Sequence, residues 1–84
     1  WRRGLATEIA EALVAIAFER LGCSRVWAKS FAENEASIRV MEKVGMRRER
    51  FAQDQYVGNG LRTDFYIYSM TADDYYEAPY RIGN

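Results

Sequence analysis

Trp1-Arg2-Arg3-Gly4-Leu5-Ala6-Thr7-Glu8 sets two arginines and a glycine directly ahead of a long apolar helix. The first turn of a helix leaves backbone N–H groups without intrahelical partners, and the aligned peptide dipoles make that end electropositive. A phosphate fits there. Gly4 lets the backbone come close to such a ligand, Ala6 keeps the next turn low, and Arg2 and Arg3 add charge that can pair with phosphate oxygens. The same residues also suit an ordinary helix start with two solvated arginines, because a short glycine pattern has little specificity by itself.

Working outward, Leu5 to Leu21 reads as that helix. Leu5, Ile9, Ala12, Leu13, Ile16 and Ala17 fall on one stripe, Ala10, Val14 and Phe18 widen it, and Glu8, Glu11 and Glu19 mark a wet edge. So broad an apolar surface predicts a sheet beneath the helix and a further element at its flank. Gly22 is the expected C-terminal cap, with Arg20 suited to the dipole. Arg25 to Phe31 alternates Val26 and Ala28 against Trp27 and Lys29, the period of a strand. Asn34 is placed as N-cap of a second helix, Glu35 to Val44, whose apolar side is Ile38, Met41 and Val44 and which Gly45 closes. Arg47 to Val57 is mostly polar and reads as an exposed or edge strand. Gly58-Asn59-Gly60 is a hairpin turn, and Thr63 to Met70, rich in Phe, Tyr and Ile, is the strand expected to be best buried. Thr71-Ala72-Asp73-Asp74 can cap a short helical turn, and Tyr75 to Asn84 reads as an aromatic tail. Without repeats or linkers, the order helix, strand, helix, strand, strand describes a single α/β piece.

The 84 residues suffice for one small domain but are marginal for an independent core. With 12 basic and 12 acidic residues the formal net charge is zero, so no global field holds nucleic acid or an acidic membrane. The longest apolar segment, Ile9 to Phe18, contains Glu11 and falls far short of a membrane span; a cytoplasmic protein is expected. A chain without histidine cannot build a Cys/His metal site or use a histidine base, and the single Cys23 reads as a small core residue. Trp1 cannot be a translation start and stands where a binding loop should join a preceding strand, so a fragment is expected.

Three ordered stretches, Gly4-Leu5-Ala6-Thr7-Glu8, Asn34-Glu35-Ala36-Ser37 and Val40-Met41-Glu42-Lys43-Val44-Gly45-Met46, together resemble the GNAT N-acetyltransferase superfamily. Within it the chain looks most like the RimJ/RimL branch of ribosomal-protein N-terminal acetyltransferases. There the acetyl-CoA signature, Gln or Arg then x-x-Gly-x-Gly/Ala, carries Trp first and continues Ala-Thr-Glu, as Trp1, Gly4 and Ala6-Thr7-Glu8 do; Arg62-Thr63-Asp64 and Tyr68-Ser69-Met70 resemble that branch's final hairpin strand. Arg2 departs from it, standing where glycine is frequent.

The resemblance implies the C-terminal half of a GNAT fold, residues 1–84 forming one partial acetyltransferase domain whose N-terminal strands and helices are absent. It implies acetyl transfer from acetyl-CoA to a primary amine by direct attack in a ternary complex, with no metal. Backbone amides of Arg2, Arg3, Gly4, Leu5, Ala6 and Thr7 would hold the coenzyme pyrophosphate, and Asn34 would contact the pantetheine arm, beside its reading as a plain cap. Met41 stands where many members carry a tyrosine acid, and a thioether cannot donate a proton. Ser37 is the remaining hydroxyl and the expected acid, its bland reading being the third position of a helix. Glu33 and Glu35 lie nearby without assigning a base. The sheet is expected to be mixed, with Thr63 to Met70 between Arg25 to Phe31 and Arg47 to Val57. The outer edge of Arg25 to Phe31 would be completed by the missing half or another chain, a homodimer included. A different class of reading is a non-catalytic CoA-binding, anion-binding or interaction module built on the same fold.

Overall fold

The computed structural model describes residues 2–77, the side chains of Arg2 and Arg3 excepted; Trp1 and the tail beyond Glu77 lie outside the described residues. The first helix, α1, runs Arg2–Ala15, starting three residues earlier than its apolar pattern, and passes into a π-helical turn at Ile16–Arg20. Leu21 N–H donates to the Ile16 carbonyl and Cys23 N–H to that of Ala17, both at 3.0 Å, and Gly22 takes the left-handed conformation (φ 67°) that ends the helix.

The face that α1 turns inward is Ala10, Val14 and Phe18, four residues apart. This corrects the expected stripe: Leu13 is 62% exposed and Leu5, Ile9 and Ile16 are close to half exposed, while Phe18 is 4% exposed. A helix apolar on two sides can bury only the side that meets a partner, and the described residues place a second layer on one side alone. The far end of the chain selects it. Tyr75 stacks on the Phe18 ring with centroids 5.0 Å apart, Tyr76 Oη donates to the Phe18 carbonyl at 3.2 Å, and Tyr75 Oη donates to the Glu19 carboxylate. These contacts converge on the π turn, which has no signature in local periodicity.

Strand β1 (Arg25–Phe31), helix α2 (Glu35–Val44), strands β2 (Arg47–Gly58) and β3 (Leu61–Thr71) and a short helix α3 (Ala72–Glu77) follow. The sheet order is β1-β3-β2, so the most apolar strand is central, as expected. Both ladders are antiparallel, which differs from the mixed sheet expected: among the described residues no parallel neighbour is present, and the outer edges of β1 and β2 have no strand partner. The register Val26↔Met70 and Ala28↔Tyr68 puts these four residues on the helix side, with Trp27 and Lys29 on the other face. An apolar groove of about 230 Å³, lined by Leu13, Val26, Trp27 and Met41 among others, opens between α1 and β1. The core joins Val14 and Phe18 to Met41, Val44, Met46, Tyr68, Met70 and Tyr75.

Local chemistry closes the elements. Gly58 pairs with Leu61 across a two-residue turn in which Asn59 (φ 52°) and Gly60 (φ 75°) both take positive φ, the requirement of the tight hairpin turn that suits strand twist. Gly45 ends α2 at φ 102°. Thr71 and Asp74 cap α3 reciprocally: Asp74 N–H donates to Thr71 Oγ1 at 3.0 Å and Thr71 N–H to Asp74 Oδ2 at 3.2 Å. The Thr71 N–H, then the Thr71 hydroxyl, hold the Asp74 carboxyl below its ordinary pKa, with Arg47 adding at 3.0 Å. Because the folded pKa is depressed, this stabilisation is complete above the unfolded value of about 3.9 and is lost as pH falls through the lower folded one. Asp74→Asn, which removes the titrating group, is therefore expected to flatten the acid limb of the stability curve below about pH 4, read as unfolding midpoints across that range. Equal midpoint losses in both proteins would assign the acid limb to other carboxylates.

Among the described residues no helix is long and apolar enough to cross a membrane.

Candidate functional site

Two helix N-termini carry the residues singled out in the sequence. The core takes Val14 from the later part of α1, Phe18 from the turn that follows it, and Met41 and Val44 from the later part of α2, which leaves the first turns of both helices outside it. Since α1 begins at Arg2, the N–H groups of Arg2, Arg3 and Gly4 belong to the first turn, whereas those of Ala6 and Thr7 fall within the helical i→i−4 ladder. Leu5 and Ala6 are exposed and Thr7 is half-buried. Among the described residues a Cβ placed on Gly4 would meet nothing within 4 Å, so their packing does not require glycine there. No acidic side chain occupies this first turn to neutralise the helix end.

At α2, Asn34 Oδ1 accepts the Ser37 N–H at 3.1 Å, and Asn34 N–H donates to the Phe31 carbonyl at 3.0 Å, tying the helix start to the end of β1. The cap uses Oδ1 and leaves Nδ2 available as a donor. Ser37 is half-buried at the third helical position. Glu33 and Glu35 are exposed, and Glu35 pairs with Arg39 one turn on at 3.5 Å. Met41 is buried in the core.

One polar cluster escaped the reading of the sequence. Tyr68, completely buried, places its hydroxyl between α2 and β2: it donates to Glu42 Oε2 at 3.0 Å and accepts from Arg48 Nε at 3.2 Å and Nη2 at 3.1 Å. Burial, the largest cause, raises the phenol above the ordinary tyrosine value; Arg48 opposes the shift and Glu42 adds to it. A tyrosine in the best-buried strand does announce a need for a hydrogen-bond partner. Nothing local names Arg48 and Glu42, which lie 20 and 26 positions away. Among the described residues no group of three or more His, Cys, Asp or Glu could hold a metal ion.

Comparison with known proteins adds independent findings. The family model described as an acetyltransferase (GNAT) domain matches residues 1–47. The Bacillus subtilis (strain 168) protein named as the uncharacterized N-acetyltransferase YoaA is 37% identical over 70 residues, which are 83% of this chain and 40% of that protein. A crystal structure of a GNAT-family acetyltransferase from Bacillus anthracis superposes with a TM-score of 0.79 at 34% identity, covering 83% of this chain and 42% of that one. The ribosomal-protein-S5-alanine acetyltransferase from Vibrio fischeri shares the fold (TM-score 0.78) at 24% identity, covering 84% of this chain and 39% of that one. The chain therefore spans about two fifths of the length of these proteins.

Proposed function

The chain belongs to the GNAT acetyltransferase family, with the fold of the C-terminal part of such a domain, and from that premise we propose that the protein carrying it transfers an acetyl group from acetyl-CoA to a primary amine. The observation that carries the reading is Gly4: a glycine that packing among the described residues does not require, in a helix where it costs up to about 1 kcal/mol against alanine, in a first turn free of acidic side chains. Close approach of a phosphate to the first-turn amides accounts for it. Gly4 and the N–H groups of Arg2 and Arg3 would hold the pyrophosphate, with Leu5, Ala6 and Thr7 forming the wall of the same turn, and Asn34 Nδ2 would donate to the pantetheine arm.

In the reaction the amine lone pair forms the new C–N bond, the C–S bond breaks, and its electron pair leaves on sulfur. Ser37 Oγ–H would give its proton to the thiolate and recover one from solvent, which also takes the proton lost by the amine. A thioester is already activated, so alignment supplies most of the rate.

A second reading, a module that binds coenzyme A without catalysis, is favoured by the buried thioether of Met41 at the position where the family resemblance implies a tyrosine acid. Calorimetric titration of coenzyme A, followed by thiol release from acetyl-CoA with N-terminal peptides and small amines, separates the two. Binding with turnover is expected; binding alone selects the second reading, and no binding rejects both. Gly4→Ala should bind coenzyme A about tenfold more weakly while unfolding no more easily, since its methyl group obstructs the ligand and not the fold. Unchanged affinity in that variant would move the pyrophosphate site elsewhere.

A further inference from the structure

Two kinds of contact hold α2. Its apolar side places Met41 and Val44 in the core, and contact of that sort has little directionality; methionine in particular fills gaps in several conformations and specifies orientation poorly. The directional contact is at Glu42. There the Tyr68 hydroxyl, on the central strand and without access to solvent, cannot exchange its bonds for bonds to water. Arg48 is fixed in turn: its guanidinium lies 3.9 Å from the centre of the Tyr66 ring and 3.8 Å from the Glu42 carboxylate. Glu42 and Arg48 are each about half exposed, so their mutual ion pair is weak, and the buried hydroxyl is the firm point of the cluster.

We propose that Tyr68, acting through Glu42, is a positioning residue that sets the rotation of α2 about its axis, and so the direction in which the Asn34 carboxamide and the Ser37 hydroxyl face. The inference rests on the acetyl-transfer reading and deepens it. Side-chain tips lie about 5 Å from a helix axis, so a rotation of about 10° moves Ser37 Oγ by about 0.9 Å. A displacement of that order can cost about a hundredfold in rate. The start of α2 is tied to the sheet through the Asn34 N–H bond to the Phe31 carbonyl and the Ala32 N–H bond to the Asp64 carbonyl, which fix its position at one end, while the Tyr68–Glu42 bond fixes its rotation farther along.

Tyr68→Phe keeps the ring that fills the core and deletes only the hydroxyl. Thr71→Ala, which weakens the α3 cap, serves as a destabilised control away from α2. Backbone amide NMR of the protein that carries the chain should show shifts at Glu35, Ala36, Ser37 and Ile38 in Tyr68→Phe and none there in Thr71→Ala. In the protein that carries the chain, Tyr68→Phe should lower kcat about tenfold. Its loss of coenzyme A affinity should combine with that of Asn34→Ala to less than the product of the two single losses. Unmoved α2 amides, or strictly multiplicative losses, would overturn the proposal. A wild type that neither binds coenzyme A nor releases thiol removes the functional reading alone, and the amide shifts then decide the role of Tyr68.

Discussion

Phe18→Ala is expected to lower the free energy of unfolding by about 3–5 kcal/mol, while Leu13→Ala changes it by no more than about 0.5 kcal/mol. Both residues are large and apolar on the same helical segment, and composition alone would rank them together. Phe18 is buried to 4%, stacks on Tyr75 and belongs to a core that both helices and the central strand share; Leu13 keeps 62% of its surface in solvent. Folded domains have a total stability of only about 5–15 kcal/mol, so a loss of that size is a large fraction of what any protein carrying this chain can hold. Urea midpoints of the two variants decide the matter. A Leu13→Ala loss equal to that of Phe18→Ala would mean that the Leu5-Ile9-Leu13-Ile16 face is covered in solution, by a second copy or by further chain.

On the proposed acetyl transfer, Ser37→Ala in the protein that carries the chain is expected to lower kcat by a factor on the order of tens to hundreds with KM for acetyl-CoA nearly unchanged. The coenzyme thiolate leaves well even unaided, which puts a hydroxyl donor at the low end of general-acid effects. Asn34→Ala should differ in kind. It removes the 3.1 Å bond to the Ser37 N–H and the proposed contact to pantetheine together, weakening cofactor binding and loosening the helix start by about 1 kcal/mol. Initial rates across pH distinguish them. Full turnover of Ser37→Ala at every pH would return Ser37 to a helix-end role, with water delivering the proton.

Features settled within four or five residues were legible before any packing was known. Asn34 and Gly45 bracket α2 because a side-chain acceptor is wanted at its start and positive φ at its end. Asn59 and Gly60 make the hairpin turn for the same backbone reason, and Thr71 with Asp74 starts α3 through bonds between near neighbours. The central place of β3 was legible from its apolar and aromatic content, since that strand loses most by lying at an edge. The two helix starts of the candidate site were visible too, because a glycine in a first turn and an asparagine cap with a serine three residues on are local features. Which face of α1 is buried was settled by packing across the fold. Leu5-Ile9-Leu13-Ile16 and Ala10-Val14-Phe18 are both apolar at helical spacing, so periodicity cannot choose between them; the choice falls to Tyr68, Met70 and Tyr75, at least 50 positions farther along the chain, which supply the surface that Val14 and Phe18 fit. The π turn and the Tyr68 cluster have the same origin: each satisfies polar groups across elements distant in sequence, a demand that arises only once the sheet and helices have packed.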